Sequence, residues 1–133
     1  MADFDYISSS DITDKVLDGL ATEAYVAEGN DAIEDLAEVK GIRSTSDIGD
    51  GAGAVHNRVK RYGVAYCCMR IAQDHMAVNN VDVPELEKYV IKYNIYRKEV
   101  AQLKTEISRE MILDDVDEMR DRATMRSGVI FRG

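Results

Sequence analysis

Residues 55–80, VHNRVKRYGVAYCCMRIAQDHMAVNN, constrain the fold of this chain more than any other stretch. At about 100° per residue, Val55, Val59, Tyr62, Tyr66, Met69 and Met76 fall on one stripe of a helix. Val64, Cys67, Cys68, Ile71 and Val78 fall on another, with small Ala65 and Ala72 between them. A helix apolar on one face lies on a surface, whereas one apolar on two faces is buried between other elements. The spacing therefore predicts the central helix of a small helical domain. Its charges agree: Arg58, Lys60 and Arg61 sit in the first turns, and Arg70 is the only base further along.

The flanking sequence supplies the partners for such a helix. DVPE at 82–85 has an Asp cap, a Pro in the first turn and a Glu three after the cap, the pattern of a capping box. Leu86, Val90, Tyr93, Val100, Leu103, Ile107 and Met111 then recur by threes and fours, widened by Tyr89 and Tyr96. This predicts one long helix near 84–112, antiparallel to the central one across a short link. On the other side, Ser8, Ser9, Ser10 and Asp11 are cap residues, and Ile12, Val16, Leu17 and Leu20 predict a short helix near 10–20. A further helix is expected over 22–40, with Ala24, Ala27, Ile33, Leu36, Ala37 and Val39 as its apolar members. The pair Gly29 and Asn30 is a place where it could split, and Gly41 is a natural stop.

The expected architecture is an all-α bundle of about four helices with a long central hairpin. Residues 1–112 form the helical domain, and 113–133 an extended C-terminal arm. A single proline and the absence of tryptophan suit helices better than sheets. At 133 residues and 45% apolar, the chain can bury one modest core. No apolar run approaches the length of about 18 residues needed to span a membrane, so no membrane association is expected. The start, MADFDYISSSD, has none of the basic and apolar character of a secretion signal, which points to a cytoplasm. Cys67 and Cys68 are neighbours and cannot form an ordinary disulfide with each other.

Charge excludes further classes. The net charge is −8, and residues 1–50 hold thirteen acids against three bases. A general nucleic-acid binder needs a broad basic face, which is not what this distribution offers. Repulsion of phosphates is the more natural use of it.

Candidate chemistry is sparse. His56, Cys67, Cys68 and His75 contain metal-ligating atoms, but the pairs fall on different faces and lack the close spacing of a structural zinc site. GDGAG at 49–53 precedes a helix as phosphate loops do, without the Lys-Ser/Thr of a P-loop. The whole segment 41–54, GIRSTSDIGDGAGA, reads as a loop with too little apolar area to order itself. No nucleophile stands with a plausible base and orienting acid, and AQDH at 72–75 offers glutamine where di-iron bundles need glutamate. Neither an enzyme nor a cofactor is expected. Residues 114–133 carry five acids and four arginines, then a small apolar knot. Such a strap looks like an arm that docks elsewhere, with Val129, Ile130 and Phe131 as anchor and Arg120, Arg122, Arg126 and Arg132 as pairing charges.

The order of these elements resembles the small helical head-to-tail adaptor (connector) proteins of tailed bacteriophages. The features that carry the likeness are an acidic pair, ISSSDITDKVLDGL then NDAIEDLAEVKGI, and a loop. A basic-to-apolar helix follows, VKRYGVAYCCMRIAQD, then a long helix with YNIYRKEVAQLKTEI and the arm-like MRSGVIFRG. The resemblance implies a virion protein of the neck, assembled in the host cytoplasm as a ring of twelve copies. The ring would dock under the portal, extend the DNA channel and carry neck or tail proteins, with DNA passing through unrecognised. Asp31, Glu34, Asp35 and Glu38 are the candidate acids of its lumen. Two alternatives remain: another tail-completion or neck subunit, and a small cytoplasmic helical regulator that binds a protein partner through 84–112.

Overall fold

A computed structural model describes residues 2–76 and 83–113, and only the backbone of 83–85. The chain is all-α, a small helical bundle, and the described residues form four α-helices: α1 (Glu23–Val39), α2 (Asn57–Met76), α3 (Val83–Glu106) and α4 (Arg109–Leu113). Among the described residues there is no strand.

Helix α2 is the centre, as its two apolar faces require. Helices α1 and α3 both pack on it. It buries Val59, Tyr62, Ala65, Cys67, Cys68, Ile71 and Ala72. The two ends of α2 and α3 are crossed: Arg58 meets Glu106, whereas His75 meets Tyr89. The pair is thus antiparallel, the expected hairpin. The Asp82 cap and the link itself lie outside the described residues.

The close approach of α1 to α2 depends on glycines. A Cβ on Gly29 would stand 2.6 Å from the Gly63 carbonyl and 2.7 Å from Ile7 Cδ1. A Cβ on Gly63 would meet Ile33 Cδ1 at 2.5 Å. So Gly29 does not split α1. It marks the crossing point, and α1 runs through it unbroken. At the far end Gly41 adopts φ +91°, donates to the Glu38 carbonyl, and lets Ile42 N–H reach the Ala37 carbonyl. These two bonds are the Schellman arrangement that closes a helix.

Three expectations need correcting. The region near 10–20 is not one helix but two short 3-10 turns, Ser9–Asp11 and Asp18–Leu20. Between them the Asp14 carboxylate accepts the N–H groups of Val16 and Leu17, which holds the backbone in a turn while Ile12 and Leu17 bury. Nor is 84–112 a single helix. It breaks at 107–108, where Ser108 Oγ accepts the Met111 N–H and starts α4. On a straight helix Ile107 and Ile112 would point about 140° apart. The break lets both reach zero exposure, leaving Met111 half-buried. Val39 and Ala24, expected on the apolar face of α1, are exposed. The buried set is Gly29, Asn30, Ala32, Ile33, Leu36 and Ala37.

The segment 41–54 is also more ordered than its composition suggests. Ile42 and Ile48 are buried, Thr45–Asp47 forms a 3-10 turn, and Gly49 donates to the Ile112 carbonyl of α4. Two apolar anchors and one bond to a distant helix are enough to wind it onto the core.

Residues 2–7 close over that core. They form a strap over the α1–α2 crossing, with Tyr6 and Ile7 buried. Asn30 Oδ1 accepts both their N–H groups, at 2.9 Å each. A buried backbone amide without a partner is costly, and Asn30 answers two with one side chain.

Candidate functional site

The side chains with recognisable chemistry fall into an internal polar set and two outward faces. Inside, Asp14 is the hub. Its carboxylate accepts from Tyr96 Oη at 2.5 Å and pairs with Lys92 Nζ at 2.9 Å, besides the two backbone bonds already described. Burial alone would raise its pKa. The bonds from Tyr96, Lys92 and Val16 outweigh that and hold it below the usual carboxylate range. Burial, followed by the bond to the Asp14 carboxylate, pushes the Tyr96 hydroxyl upward. This cluster ties the N-terminal segment to α3 and has every member engaged.

The basic start of α2 is similarly committed. Arg58 pairs with Glu106 at 2.9 Å, Arg61 with Glu99 at 3.2 Å, and Lys60 with Asp11 at 3.5 Å. Arg70 bridges to Glu28 of α1 at 2.8 Å and to Asp74 at 3.4 Å. Lys60 and Arg70 thus pair with acids of the N-terminal fifty residues, Asp11 and Glu28. Arg58 and Arg61 serve the hairpin instead.

The metal-ligating residues are dispersed. Cys67 and Cys68 are buried thiols pushed up to about 12, chiefly by desolvation, so they are poor thiolates. His56 Nδ1 accepts the Arg58 N–H at 3.0 Å, and His75 Nδ1 lies 2.8 Å from the Ile71 carbonyl. Among the described residues no three His, Cys, Asp or Glu side chains converge. In the GDGAG loop, Asp50 Oδ1 accepts the N–H groups of Ala52 and Ala54. Gly51 donates to the Ile48 carbonyl. A carboxylate thus already holds amides that a phosphate would need.

The outward face of α1 carries three of the four acids first considered for a channel lumen. Asp35 and Glu38 are exposed and Asp31 is half-exposed. Glu34 differs, because its Oε2 accepts the Tyr6 hydroxyl at 2.7 Å and the Asp3 N–H at 2.9 Å. It is a clamp for the N-terminal strap. The arm residues Arg120, Arg122, Arg126, Val129, Ile130, Phe131 and Arg132 lie outside the described residues.

The second outward face was not anticipated. On α3, Ile91 is 58% exposed and Ile95 50%, one helical turn apart, with Val90 beside them at 37%. Val90 had been expected on the core stripe, but Tyr89, Tyr93 and Tyr96 take that place. A signal existed in the sequence: Ile91 and Ile95 fall opposite the 86–103 stripe on a helical wheel. Helices α1 and α3 sit against different parts of α2, so the acidic and apolar faces are separate surfaces.

No family model, no curated protein and no solved structure matches this chain.

Proposed function

We propose that this chain is a structural building block of a bacteriophage virion. In this reading it is a head-to-tail adaptor subunit whose ring docks under the portal, extends the DNA channel and links head to neck or tail. The observation that carries the reading is the outer side of α3. Single exposed apolar side chains are ordinary, but Ile91 and Ile95 stand exposed one turn apart on the same side of α3, outside the buried core. Such a patch marks a surface that another molecule covers. A repeating subunit finds that molecule in its own copies. A net charge of −8 suits a ring through which a duplex must slide. The arm at 114–133 would fasten each subunit to a neighbour or to the portal.

The α3 patch also favours a second reading, a small helical regulator whose partner lays an amphipathic helix along it. Sedimentation and electron microscopy of the full chain, alone and with a portal protein, separate the two. Closed rings of many copies, free or seated on the portal, are the expected result. A chain that stays monomeric in both conditions and ignores the portal would overturn the adaptor reading.

A further inference from the structure

We propose that residues 126–132 of this chain fold back and seat in a groove on their own subunit, between the N-terminal strap and the first turns of α1. The inference goes beyond the ring reading and does not depend on it. Attachment to a neighbour, as proposed above, would draw the arm out of this seat. The groove has a volume of about 530 Å³, within the range of specific binding clefts. The strap runs antiparallel to α1 along it: the Asp3 N–H bonds to Glu34, and those of Tyr6 and Ile7 bond to Asn30. Ala24, Val26 and Ala27 line it on α1, and Ile7 on the strap. Ala24 is exposed and Val26 and Ala27 are half-buried, so apolar surface is left open there. Asp5 and Glu23 also line the groove, both exposed, and no base does among the described residues. Neither acid holds an ion pair with another described residue.

The segment ATMRSGVIFRG, residues 123–133, answers both features of the groove. It holds Arg126 and Arg132 and no acid, while the five acids of 114–133 all lie at or before Asp121. Val129, Ile130 and Phe131 stand between the two arginines. Glu23 precedes Asn30 by ~10 Å along α1, and Asp5 adjoins Tyr6, which bonds to Asn30. The two acids therefore sit at different ends of the apolar wall. Arg126 and Arg132 are at most ~20 Å apart, so their long side chains can close on both acids around the apolar triplet. Chain length permits the return. The described chain ends at Leu113, next to Ile112, whose carbonyl accepts the Gly49 N–H. The Asp50 N–H then bonds to the Ala54 carbonyl, and a Cβ on Gly53 would stand 2.9 Å from the Asp5 carbonyl. That path from Leu113 to Asp5 is ~30 Å at most, whereas the chain from 113 to 129 extends to ~50 Å. A seat on the same chain is filled at high effective concentration, so a modest contact suffices. Ile91 and Ile95 offer apolar surface too, but between exposed Glu87 and Lys98, a poorer match to two arginines.

The test uses the full chain, dilute enough to be monomeric. The sequence has no tryptophan, so Phe131→Trp places a single reporter in the arm. Its emission should be that of a buried indole. Adding Asp5→Lys and Glu23→Lys, both at exposed positions, should move it to the red, toward the denatured chain, with helix unchanged in circular dichroism. Independently, Ala24→Cys with Phe131→Cys should close a disulfide within one chain about tenfold faster than Ile95→Cys with Phe131→Cys. Cys67 and Cys68 are buried and stay out of that reaction. The second measurement stands even if the lysine variant fails to fold. An indole already at the denatured position, an emission that ignores the lysines, or a disulfide no faster at 24 than at 95 overturns the seat. Cross-links that form only between chains overturn it too and assign the groove to a second copy. Each of these results leaves the ring reading intact, since that reading is decided by assembly of the chain with and without a portal.

Discussion

At the residue scale, a few small or polar side chains decide more than the large apolar ones. Gly29 is the clearest case. Alanine in a helix interior is ordinarily better than glycine by about 1 kcal/mol. Here its methyl would press on the Gly63 carbonyl, part of a helix backbone that cannot turn aside as a side chain can. Overpacking of this kind costs about 1–3 kcal/mol, so Gly29→Ala should be net destabilising in chemical denaturation. Asp14 is the second case. Its pKa is lower in the folded chain than the ordinary value of 3.8. A lowered carboxylate stabilises the fold above its unfolded pKa and stops doing so as pH falls through the folded one. Asp14→Asn should therefore cost about 2 kcal/mol at pH 7, since it weakens charge-assisted bonds to Lys92 and Tyr96. The gap between variant and wild type should narrow as both are taken into acid below about pH 4. A gap independent of pH would mean that the carboxylate charge does not act as the geometry implies.

At the scale of elements, the hairpin of α2 and α3 is the frame, and the smaller pieces close over it. Ile71 in α2 is fully buried, and Leu103 in α3 is 2% exposed. Placing an aspartate at either position buries a charge with no prepared partner. Ile71→Asp and Leu103→Asp should each cost several kcal/mol, visible as a large fall in melting temperature. The glycine-rich segment 41–54 is an element as well, although it looks like a spacer. Ile48 is 1% exposed, and the neighbouring Gly49 N–H bonds to the Ile112 carbonyl. Ile48→Ala should cost about 2–4 kcal/mol, comparable to an ordinary core truncation. In hydrogen exchange the Gly49 amide should be protected in the wild type and lose that protection in the variant. A truncation cost under half a kcal/mol would return the segment to a passive loop.

For the whole molecule, the question is what a completed core leaves on its outside. Helix α1 leaves Asp35 and Glu38 exposed and α3 leaves Ile91 and Ile95 exposed, on either side of a shared central helix. On the adaptor reading proposed above, residues 114–133 would add a further point of attachment. Burying a Phe or Ile side chain is worth roughly 1.5–3 kcal/mol, too little to hold one copy yet ample when many arms bind together. Deleting 124–133 should leave helical content unchanged and abolish attachment of the ring to its neighbour in co-sedimentation. Normal attachment by the shortened chain would reduce the strap to a frayed end.

Periodicity and capping chemistry by themselves determined the helical class, the central place of 57–76, its antiparallel partner and the stop at Gly41. Those features depend on near neighbours in the chain, and a 3.6-residue repeat records them directly. The tertiary structure alone decided the rest. Asn30 and Glu34 look like surface polars of an acidic helix until the strap of residues 3–7 brings its amides and the Tyr6 hydroxyl to them. Asp14 reads as one more acid of an expected helix near 10–20 until Lys92 and Tyr96 arrive from about eighty positions away. The break at 107–108 follows from the two isoleucines seeking one core, which no single-helix pattern expresses. Which apolar residues remain outside is likewise a property of the packed bundle. Ile91 and Ile95 stay in water because three tyrosines of the same helix have already filled the only side that faces α2.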